Sequence, residues 1–576
     1  MDVSVTLACL FSVFMFFFVA TFFLLILNCL GLYFYRQWWG PLGSFFFSTT
    51  MLTSVVISLI FVFFHQLTNG TVWFIDFGRI FFLFDLFDVN LVFCVDSLSV
   101  VTSALVLCLT LCAQYFGVEY MYREAFILRL VYLLNFFATS VVFLFFVYDF
   151  FLVLIVWELI GLFSLLLVNF YSLRLYTIKA AFKTFIFSRF SDFFIFIVFF
   201  FFVLVWQSSD LGLLFTQIPF FLFYNIYIGP FGVNVLNFLG LLLALSGAVK
   251  AAQFLFHVWL PDAMEAPTPA SALIHSSTLV IMGIYLIIRF NVIYEFSYLG
   301  NLMLAVLGSF TVAVGAISAT FQNDIKKLVA YSTVSQMGYL FCGCGFLAYK
   351  EVLFYLTIHA MNKAFLFILV GYIVHFFTGN TDLRFMGRFY NCGIDLTFML
   401  FVVSLNLTGL PLTAGFFAKE FLVFQTLHSD YFSLLVRTLW FFSFILTPFY
   451  MMFLNLWVVF KSNQKTVSYA NPKKKLNNFK LHNLTTNLAS EAVAKTTTCF
   501  FILFLFTISL FGEFLATYLF TPLTSFNNLL GYSWSTNLFN ELSSVNNFST
   551  GLANALSFLI LLSLSTALRY LVKLTK

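Results

Sequence analysis

The sequence predicts an all-α polytopic membrane protein, and two observations carry this prediction. Hydrophobic residues make up 62% of the 576 residues and charged residues only 9%, whereas soluble domains carry about 25% charged residues. Apolar runs of the roughly 20 residues that a helix needs to cross a bilayer recur along almost the whole chain. These runs do not show the alternation typical of a membrane β-barrel. The mean hydropathy of +1.02 agrees with a membrane protein.

We predict about fifteen transmembrane helices from these runs. They are expected over 5–34, 45–66, 97–117, 127–148, 149–171, 180–206, 232–256, 266–290, 299–320, 325–348, 350–376, 393–426, 431–460, 497–520 and 552–572. The segment 71–96 has strand-like aromatic spacing and contains Asp76, Arg79, Asp85 and Asp88, so we predict a hairpin outside the spans. The segment 211–228 is predicted to be amphipathic or interfacial.

The charges of the loops predict the orientation of these spans. Loops after odd-numbered spans carry basic residues, namely Arg36, Arg123, Arg129, Arg174, Lys179, Lys326, Lys327, Arg384 and Arg388. Loops after even-numbered spans carry mainly acidic residues, namely Asp85, Asp88, Asp96, Asp149, Asp210, Glu295, Asp430 and Glu541, with Lys350 as an exception. Because basic loops stay on the cytoplasmic or matrix side, the N-terminus is predicted outside and the C-terminus inside. The basic loop 461–495 is either a solvated loop of this kind or a site for anionic lipid or a partner.

Two charged residues lie deep inside apolar runs of the first half. Glu158 lies in FFLVLIVWELIGLFSLLLV and Lys250 in LLLALSGAVKAAQFLFHVW. Charged residues within membrane spans usually face the protein interior and mark a pathway. Because burial disfavours the charged form of lysine, we expect a carboxylate beside Lys250, and Glu158 is the expected partner. The alternative is a purely structural ion pair that joins two helices.

Histidines add candidates for proton relay, since histidine titrates near neutrality. His359 and Lys363 are four residues apart in FYLTIHAMNKAFLFILV and therefore share one helix face. His275 follows Pro267 and Pro269, which are expected to break the helix, and is flanked by hydroxyl residues that suit a chain of water molecules. The alternative for each histidine is a core residue without a proton-transfer role.

A further charged pair follows a predicted helix break. Lys419 and Glu420 end the segment NLTGLPLTAGFFAKEF, in which Gly409, Pro411 and Gly415 are expected to interrupt the helix. Transporters place ion sites at broken helices near the middle of the membrane. The alternative is a simple kink, with the lysine reaching towards an interface.

The sequence predicts no cofactor and no metal site in this chain. The nine cysteines are scattered without a CxxC, and iron–sulfur clusters need a cysteine ligand set. No GxGxxG motif stands in a strand–helix setting that would bind a dinucleotide. We therefore expect any NADH, flavin, iron–sulfur cluster or quinone to bind elsewhere.

Six segments make the sequence resemble a known family. They are DFFLVLIVWELIGLFSLLLVNFY, KAAFKTFIFSRFSDFFIF, KAAQFLFHVWLPDAMEAPTPASALIHSSTLV, NDIKKLVAYSTVSQMGYLF, HAMNKAFLFILVGYIVH and GLPLTAGFFAKE. The chain resembles, over about 96–460, the antiporter-like subunits of proton-pumping NADH–ubiquinone oxidoreductase (respiratory complex I), which are related to multisubunit cation/proton antiporters. The SALIHSST form is closer to the subunit 5 branch than to subunits 4 and 2.

The resemblance implies a fold and a division of the chain. Two inverted five-helix repeats with broken helices would occupy 127–290 and 291–460, after N-terminal spans within 1–126. The basic loop 461–495 and further spans within 496–576 would follow. Members of the family often continue into a long lateral helix and a final anchor. Since 521–551 is short and polar, we expect this lateral helix to be absent here or supplied by another polypeptide.

The resemblance also implies roles for individual residues. Proton transfer would fall to Glu158, Lys250, His275, His359, Lys363 and Lys419, with supporting roles for Lys183, Arg189, Asp192, Tyr355 and Glu420. Lys250 and Lys419 would occupy corresponding places near the helix breaks of the two repeats. The family often has a second histidine where this chain has Tyr355. Because tyrosine titrates near pH 10, relay at that point is expected to rely more on water.

The resemblance implies a place in a larger assembly. The chain would be a proton-translocating subunit of the mitochondrial inner membrane, with its N-terminus in the intermembrane space and its C-terminus in the matrix. Its partners would be other membrane-arm subunits of complex I, especially the subunit 4 homologue, and phospholipids such as cardiolipin, but no nucleic acid. NAD, FMN, iron–sulfur clusters and ubiquinone would bind in the wider complex. The 89 phenylalanines favour an AT-rich organellar gene.

Two other functions compete with this interpretation. The first is a subunit of a multisubunit cation/proton antiporter outside respiration. The second is a membrane scaffold whose channel is inactive. The buried ionisable residues argue against a scaffold, since each is costly to bury.

Overall fold

The structure is a computed structural model that describes residues 3–460, apart from gaps at 70–71, 84–86, 122–123, 125, 207, 229–230, 378, 388, 390–393, 411–412 and 428–432. The predictions for the basic loop 461–495, for the last two spans and for the lateral helix lie outside the described residues. The boundaries predicted for the two repeats stay a prediction.

Helices dominate the described part of the chain. In chain order they are α1 (Val3–Asn69), α2 (Ser97–Tyr120), α3 (Ile127–Phe146), α4 (Phe150–Val168), α5 (Leu175–Trp206), α6 (Leu211–Gln217), α7 (Val235–Lys250), α8 (Trp259–Asp262), α9 (Thr268–Leu273), α10 (Leu279–Arg289), α11 (Asn291–Phe296), α12 (Tyr298–Phe321), α13 (Ile325–Gly345), α14 (Tyr349–Phe376), α15 (Ile394–Thr408), α16 (Ala414–Leu427) and α17 (Ser433–Asn455). The predicted all-α class is confirmed.

Every predicted span up to residue 460 contains helix, and nine helical segments of the described residues are long and apolar enough to cross a membrane. α7 and α15 are apolar but shorter, because each ends at a break inside a predicted span. α13 is less apolar because one of its faces carries buried polar residues, among them Ser332, Thr333, Ser335 and Gln336.

The first two predicted spans correspond to two helices, one on either side of a break within α1. Its backbone leaves the helical conformation at Gly40, with φ 67° and ψ −173°, a region that glycine adopts without steric conflict. Both sides of the break are tied to α3 by one amide, since Asn28 donates to Asn135 Oδ1 over 3.2 Å and the Asn135 amide donates to Ser48 over 2.8 Å. Gln114 of α2 donates to the same Asn135 oxygen over 2.6 Å.

Two small hairpins interrupt the helical order. β1 (Trp73–Leu83) and β2 (Phe87–Val95) pair antiparallel within the segment predicted as a hairpin, with Trp73 opposite Val95. The register is irregular around Arg79. The stretch predicted to be interfacial contains α6, a 3-10 turn (Ile218–Phe223) and strand β3 (Asn225–Ile228), which pairs with β4 (Phe231–Asn234).

The two halves of the molecule each contain a broken helix. In the first half α7 ends at Lys250, and the chain turns through Ala252 and Leu255, whose φ values are +51° and +74°, before α8 begins. Side chains in the left-handed region cost roughly 1–2 kcal/mol each, so this break is held by its surroundings. In the second half α15 ends at Thr408 and Gly409 has a φ of +75°.

The prolines of the first half do not break a helix, which corrects the prediction for Pro267 and Pro269. Pro267 lies at the N-cap of α9, and Pro269 lies in its first turn, where a missing N–H leaves no intrahelical bond unmade. α9 continues through a π-helical turn (Ile274–Thr278) into α10. No local residue type marks the true break, because Ala251, Ala252 and Gln253 are all compatible with a helix.

Candidate functional site

Four charged side chains of alternating sign connect α4, α5 and α7. Glu158 Oε2 lies 3.4 Å from Arg189 NH1, and the same guanidinium nitrogen lies 3.2 Å from Asp192 Oδ2. Asp192 Oδ1 in turn lies 3.9 Å from Lys250 Nζ. The side chain of Glu158 is 37% exposed and that of Lys250 only 1%. The four residues therefore form a charge chain that runs from the flank of the protein to its interior.

This geometry corrects the expected partner of Lys250. The carboxylate in its ion pair is that of Asp192, whereas Glu158 pairs with Arg189. The reason is the position of α5, which packs against both α4 and α7. Arg189 and Asp192 are three residues apart and share a helix face, so this pair lies between Glu158 and the lysine.

The side chain of Lys250 lies beside both aromatic and polar groups. Its Nζ lies 5.2 Å from the centre of the Trp157 ring, a cation–π distance. A cavity at the lysine is lined mainly by apolar residues, together with the hydroxyl-bearing residues Ser164, Thr184 and Ser188. As the last residue of α7, Lys250 also places its charge at a helix C-terminus, which favours cations.

Another ion pair lies in this region and is partly exposed. Lys183 Nζ lies 2.5 Å from Asp262 Oδ2, with side-chain exposures of 34% and 40%. Lys183 was predicted as a supporting residue from the resemblance, but Asp262 was missed although it stands in the WLPDAMEAP segment. The pair joins α5 to α8, the short helix that follows the break.

His275 lies in the π-helical turn and is fully buried. Its ring centroid lies 6.4 Å from that of Trp259 and 6.1 Å from that of Phe367. Neither ring nitrogen has a hydrogen-bond partner among the described residues. The histidine therefore lies between the first half and α14 of the second.

In the second half, His359 and Lys363 lie on one face of α14 and are buried. Lys363 Nζ donates to Ser332 Oγ of α13 over 2.5 Å, and no partner for either ring nitrogen of His359 occurs in the described part of the chain. The Tyr355 hydroxyl donates to Gln336 Oε1, and its ring centroid lies 6.1 Å from that of His359.

Lys419 reaches back across the second break. Its Nζ donates to the carbonyls of Leu407, over 2.7 Å, and Thr408, over 3.2 Å, at the end of α15. The last carbonyls of a helix lack intrahelical donors, so the ammonium satisfies them. Lys419 stands in the helix after its break, whereas Lys250 ends the helix before its own. The two lysines therefore correspond only in that each lies near a helix break. Glu420 is half-buried.

At the second break Gly409 lies between the two helices, whereas Gly415 lies in the first turn of α16 and does not interrupt a helix. Gly409 adopts a positive φ. A Cβ at Gly415 would stand 1.9 Å from the carbonyl oxygen of Asn406, and the Gly415 amide donates to Asn406 Oδ1 over 2.9 Å. Asn406 also donates to Asn362 of α14 over 3.2 Å. Pro411 lies outside the described residues.

One buried ion pair escaped the sequence reasoning altogether. Arg289 NH1 lies 2.5 Å from Asp96 Oδ2, and both side chains are buried. Arg289 also donates to the Tyr285 hydroxyl and to the Phe145 carbonyl. Asp96 begins α2 through a capping box with Ser99. No local signal could have revealed the pair, because the two residues lie 193 positions apart.

Comparison with known proteins supplies the family. The model of the family described as "NADH:quinone oxidoreductase/Mrp antiporter, TM" matches residues 147–447, which is more than half of the chain. This chain belongs to that antiporter family. The matched region contains all six residues expected to transfer protons, and the predicted family is confirmed.

Two curated relatives in this antiporter family carry the name NADH-ubiquinone oxidoreductase chain 5. That of Nyctotherus ovalis is 41% identical over 422 residues, covering 73% of this chain and 23% of the relative. That of Paramecium tetraurelia is 39% identical over 336 residues, covering 58% of each. The chain therefore spans less than two thirds of the length of either relative.

A solved structure shares the fold of the antiporter family. The Mrp complex from Dietzia sp. DQ12-45-1b matches with a TM-score of 0.68 at 20% identity, covering 94% of this chain and 55% of that chain. At this identity the likeness concerns the fold, and it confirms the predicted antiporter-like architecture.

Proposed function

We propose that this chain is a proton-translocating membrane subunit of an NADH:ubiquinone oxidoreductase. The observation that carries the proposal is the charge chain Glu158–Arg189–Asp192–Lys250, which ends in a buried lysine at a helix break. A buried lysine is costly unless it is paired, and titratable groups inside membrane spans mark proton pathways. The names of the relatives support the respiratory assignment.

Arg189 couples the outer carboxylate to the inner pair in this proposal. Its guanidinium lies within 3.4 Å of Glu158 and 3.2 Å of Asp192, so it divides its attraction between two anions. When Glu158 loses its charge, Arg189 turns fully to Asp192. Asp192 then attracts Lys250 less, because interactions between charges depend on the whole local set. A change in the charge of Glu158 thereby changes how strongly Lys250 holds its proton.

The buried residues of the second half would carry the proton onwards. Lys363, His359 and Lys419 lie close enough for the charges of both lysines to act on the histidine. His275 would link them to Lys250, and Tyr355 and Glu420 would support the path. Lys419, held by the end of α15, would pass the proton to the outer side.

The redox chemistry lies outside this chain in the proposal. NAD, FMN, iron–sulfur clusters and ubiquinone would belong to other subunits, and this chain would hold none of them. Enzyme activity would therefore be that of the complex, with the chain contributing proton movement.

The partners are proposed from the exposed end of the charge chain. The Glu158 side chain is 37% exposed on a flank that also exposes Ile155, Leu159 and Leu162. A charged group facing lipid is costly, so another membrane-arm subunit should cover this flank, and we propose the subunit 4 homologue. The membrane would be the mitochondrial inner membrane, with the N-terminus in the intermembrane space, the C-terminus in the matrix and bound cardiolipin near the basic loops.

The test replaces the two ends of the charge chain in the purified, reconstituted complex. Lys250→Ala and Glu158→Ala should each reduce proton translocation, while NADH oxidation by an artificial electron acceptor stays normal. Lys327→Ala is a matched control, since the ion pair that this lysine forms with Asp324 is partly exposed. Normal translocation in both variants of the charge chain, in fully assembled complex, would refute the proposal.

The shared fold with the Mrp complex keeps one alternative, a subunit of a cation/proton antiporter. Vesicles that contain the purified complex distinguish the two functions. Proton movement driven by NADH supports the proposal, and Na⁺ efflux driven by a pH gradient without NADH supports the alternative.

A further inference from the structure

A second polar route lies outside the charge chain, along the seam where α2, α9 and α14 pack together. At one end of this seam, Tyr372 of α14 donates to Glu119 Oε2 of α2 over 2.9 Å. The other oxygen of Glu119 is buried and has no partner among the described residues. A buried carboxylate in which only one oxygen accepts a hydrogen bond is unusual, because buried polar atoms are normally hydrogen-bonded to protein or to internal water.

The next polar group along the seam is Thr268, the first residue of α9. It is fully buried, and within the described part of the chain its hydroxyl has no partner. This hydroxyl would lie 3.2 Å from a Cβ at Gly371, the residue before Tyr372. The Phe116 ring would lie nearer still to that Cβ, so glycine at 371 lets α14 pack closely against both Phe116 and the Thr268 hydroxyl.

The seam then leads to histidines. The same short stretch from α9 into the π-helical turn carries His275, whose ring lies 6.1 Å from that of Phe367 on α14. His359 and Lys363 follow on α14. Lys363 lies nine residues before Tyr372, or about 13 Å along the helix axis at 1.5 Å per residue. The nitrogens of both histidines lack partners among the described residues.

Glu119 lies about one helical turn from the exposed end of α2 and α14. His375 of α14 is exposed, and its ring lies 6.1 Å from that of Tyr120. Phe116 and Tyr372 close the seam laterally, with ring centroids 5.1 Å apart. By the loop charges, this end of α2 and α14 is the side of the basic loops.

We infer that Glu119 is the proton-uptake carboxylate of a route along the α2–α9–α14 seam that supplies His275 and Lys363. A proton from water on the side of the basic loops would bind the free oxygen of Glu119 and make it a neutral carboxyl. That proton would pass to water held by the Thr268 hydroxyl, which accepts one proton and releases another. The transfer to water restores the Glu119 carboxylate, and the neutral imidazole of His275 would accept the proton that the water releases. The inference rests on the proposed function.

The experiment uses the assembled, reconstituted complex and compares Glu119→Gln with Tyr372→Phe. A glutamine can still accept the bond from Tyr372 but cannot titrate, so a structural role for Glu119 tolerates the first change and not the second. We expect Glu119→Gln to lower proton translocation several-fold, Tyr372→Phe to lower it less, and Glu119→Asp to restore part of the loss. Assembly and NADH oxidation by an artificial acceptor should stay normal.

Glu124→Gln is the matched control, because Glu124 is exposed and lies five residues beyond Glu119. Thr268→Val keeps the shape of the side chain, removes its hydroxyl and should resemble Glu119→Gln. Normal translocation in Glu119→Gln together with loss in Tyr372→Phe would overturn the inference. A parallel Lys363→Ala variant separates the two proposals. If it abolishes translocation while Glu119→Gln has no effect, only the seam route fails. If it translocates normally, the proposed function fails and the route with it.

Discussion

The two halves of the molecule hold their buried lysines in different ways. In the first half, Lys250 faces a carboxylate, and the four charges from Glu158 to Lys250 sum to zero. In the second half, the acceptors found for Lys363 and Lys419 in the described part of the chain are neutral oxygens, from Ser332 and from the end of α15. Both arrangements stand beside a broken helix. The first half therefore neutralises its buried lysine with a carboxylate, and the second half stabilises its buried lysines with oriented dipoles.

This difference gives the halves different sensitivities. A carboxylate can change its charge, so the first half can respond to a proton or a neighbour at its flank. Carbonyl and hydroxyl dipoles keep their sign, so the second half holds its cations by fixed geometry. We therefore expect substitutions of acidic residues to disturb the first half and substitutions of shape or backbone to disturb the second.

The largest effect is expected from Asp192→Asn, which removes the counter-charge of Lys250. Breaking a buried ion pair on one side costs about 3–5 kcal/mol, and each 1.4 kcal/mol, roughly, that enters the barrier for proton transfer slows the transfer about tenfold. Translocation should therefore fall by at least about tenfold, as measured by a pH-sensitive dye in vesicles that contain the complex. Asp324→Asn is the control, because its pair with Lys327 is exposed and such pairs contribute little. Translocation close to normal in Asp192→Asn would remove the contrast between the halves.

Gly415→Ala should have the next largest effect and tests the geometry of the second half. The added Cβ would stand 1.9 Å from the Asn406 carbonyl oxygen, so the junction of α15 and α16 must open. We expect a loss of about 3 kcal/mol, the upper end for overpacking, seen as less assembled complex on native gels. At Gly117 the nearest atom would be 3.4 Å away, so Gly117→Ala should assemble normally. Equal assembly of the two variants would contradict the structure of this break.

The smallest effect is expected from Ser332→Ala, which removes the hydroxyl acceptor of Lys363. A hydrogen bond to a charged group contributes about 1.5–3 kcal/mol, and water can replace part of it. Translocation should fall a few-fold, and Ser332→Thr, which keeps the hydroxyl, should be near normal. A loss in Ser332→Ala as large as that in Asp192→Asn would mean that both halves depend equally on a single acceptor.

The fold class, the spans and most of the charged site residues could be predicted from the sequence. An ionisable residue inside an apolar run can be recognised without an alignment or a structure. The sequence also located the second break, since Gly409 marks it. Partners were harder to predict. The pairing of Lys250 with Asp192 instead of Glu158 depends on how α5 packs between two helices, and the pair Asp96–Arg289 joins distant segments. The first break carries no glycine or proline at Ala252, so composition could not reveal it.

The break within α1 has a consequence for how the protein is assembled in the membrane. The two arms of α1, on either side of Gly40, both hydrogen-bond to Asn135. That residue belongs to α3, which leaves the ribosome well after both arms. Neither arm can adopt its final position until α3 has been inserted, so the hinge at Gly40 must stay adjustable during synthesis. A glycine there lets helices that are made earlier adjust to one that is made later.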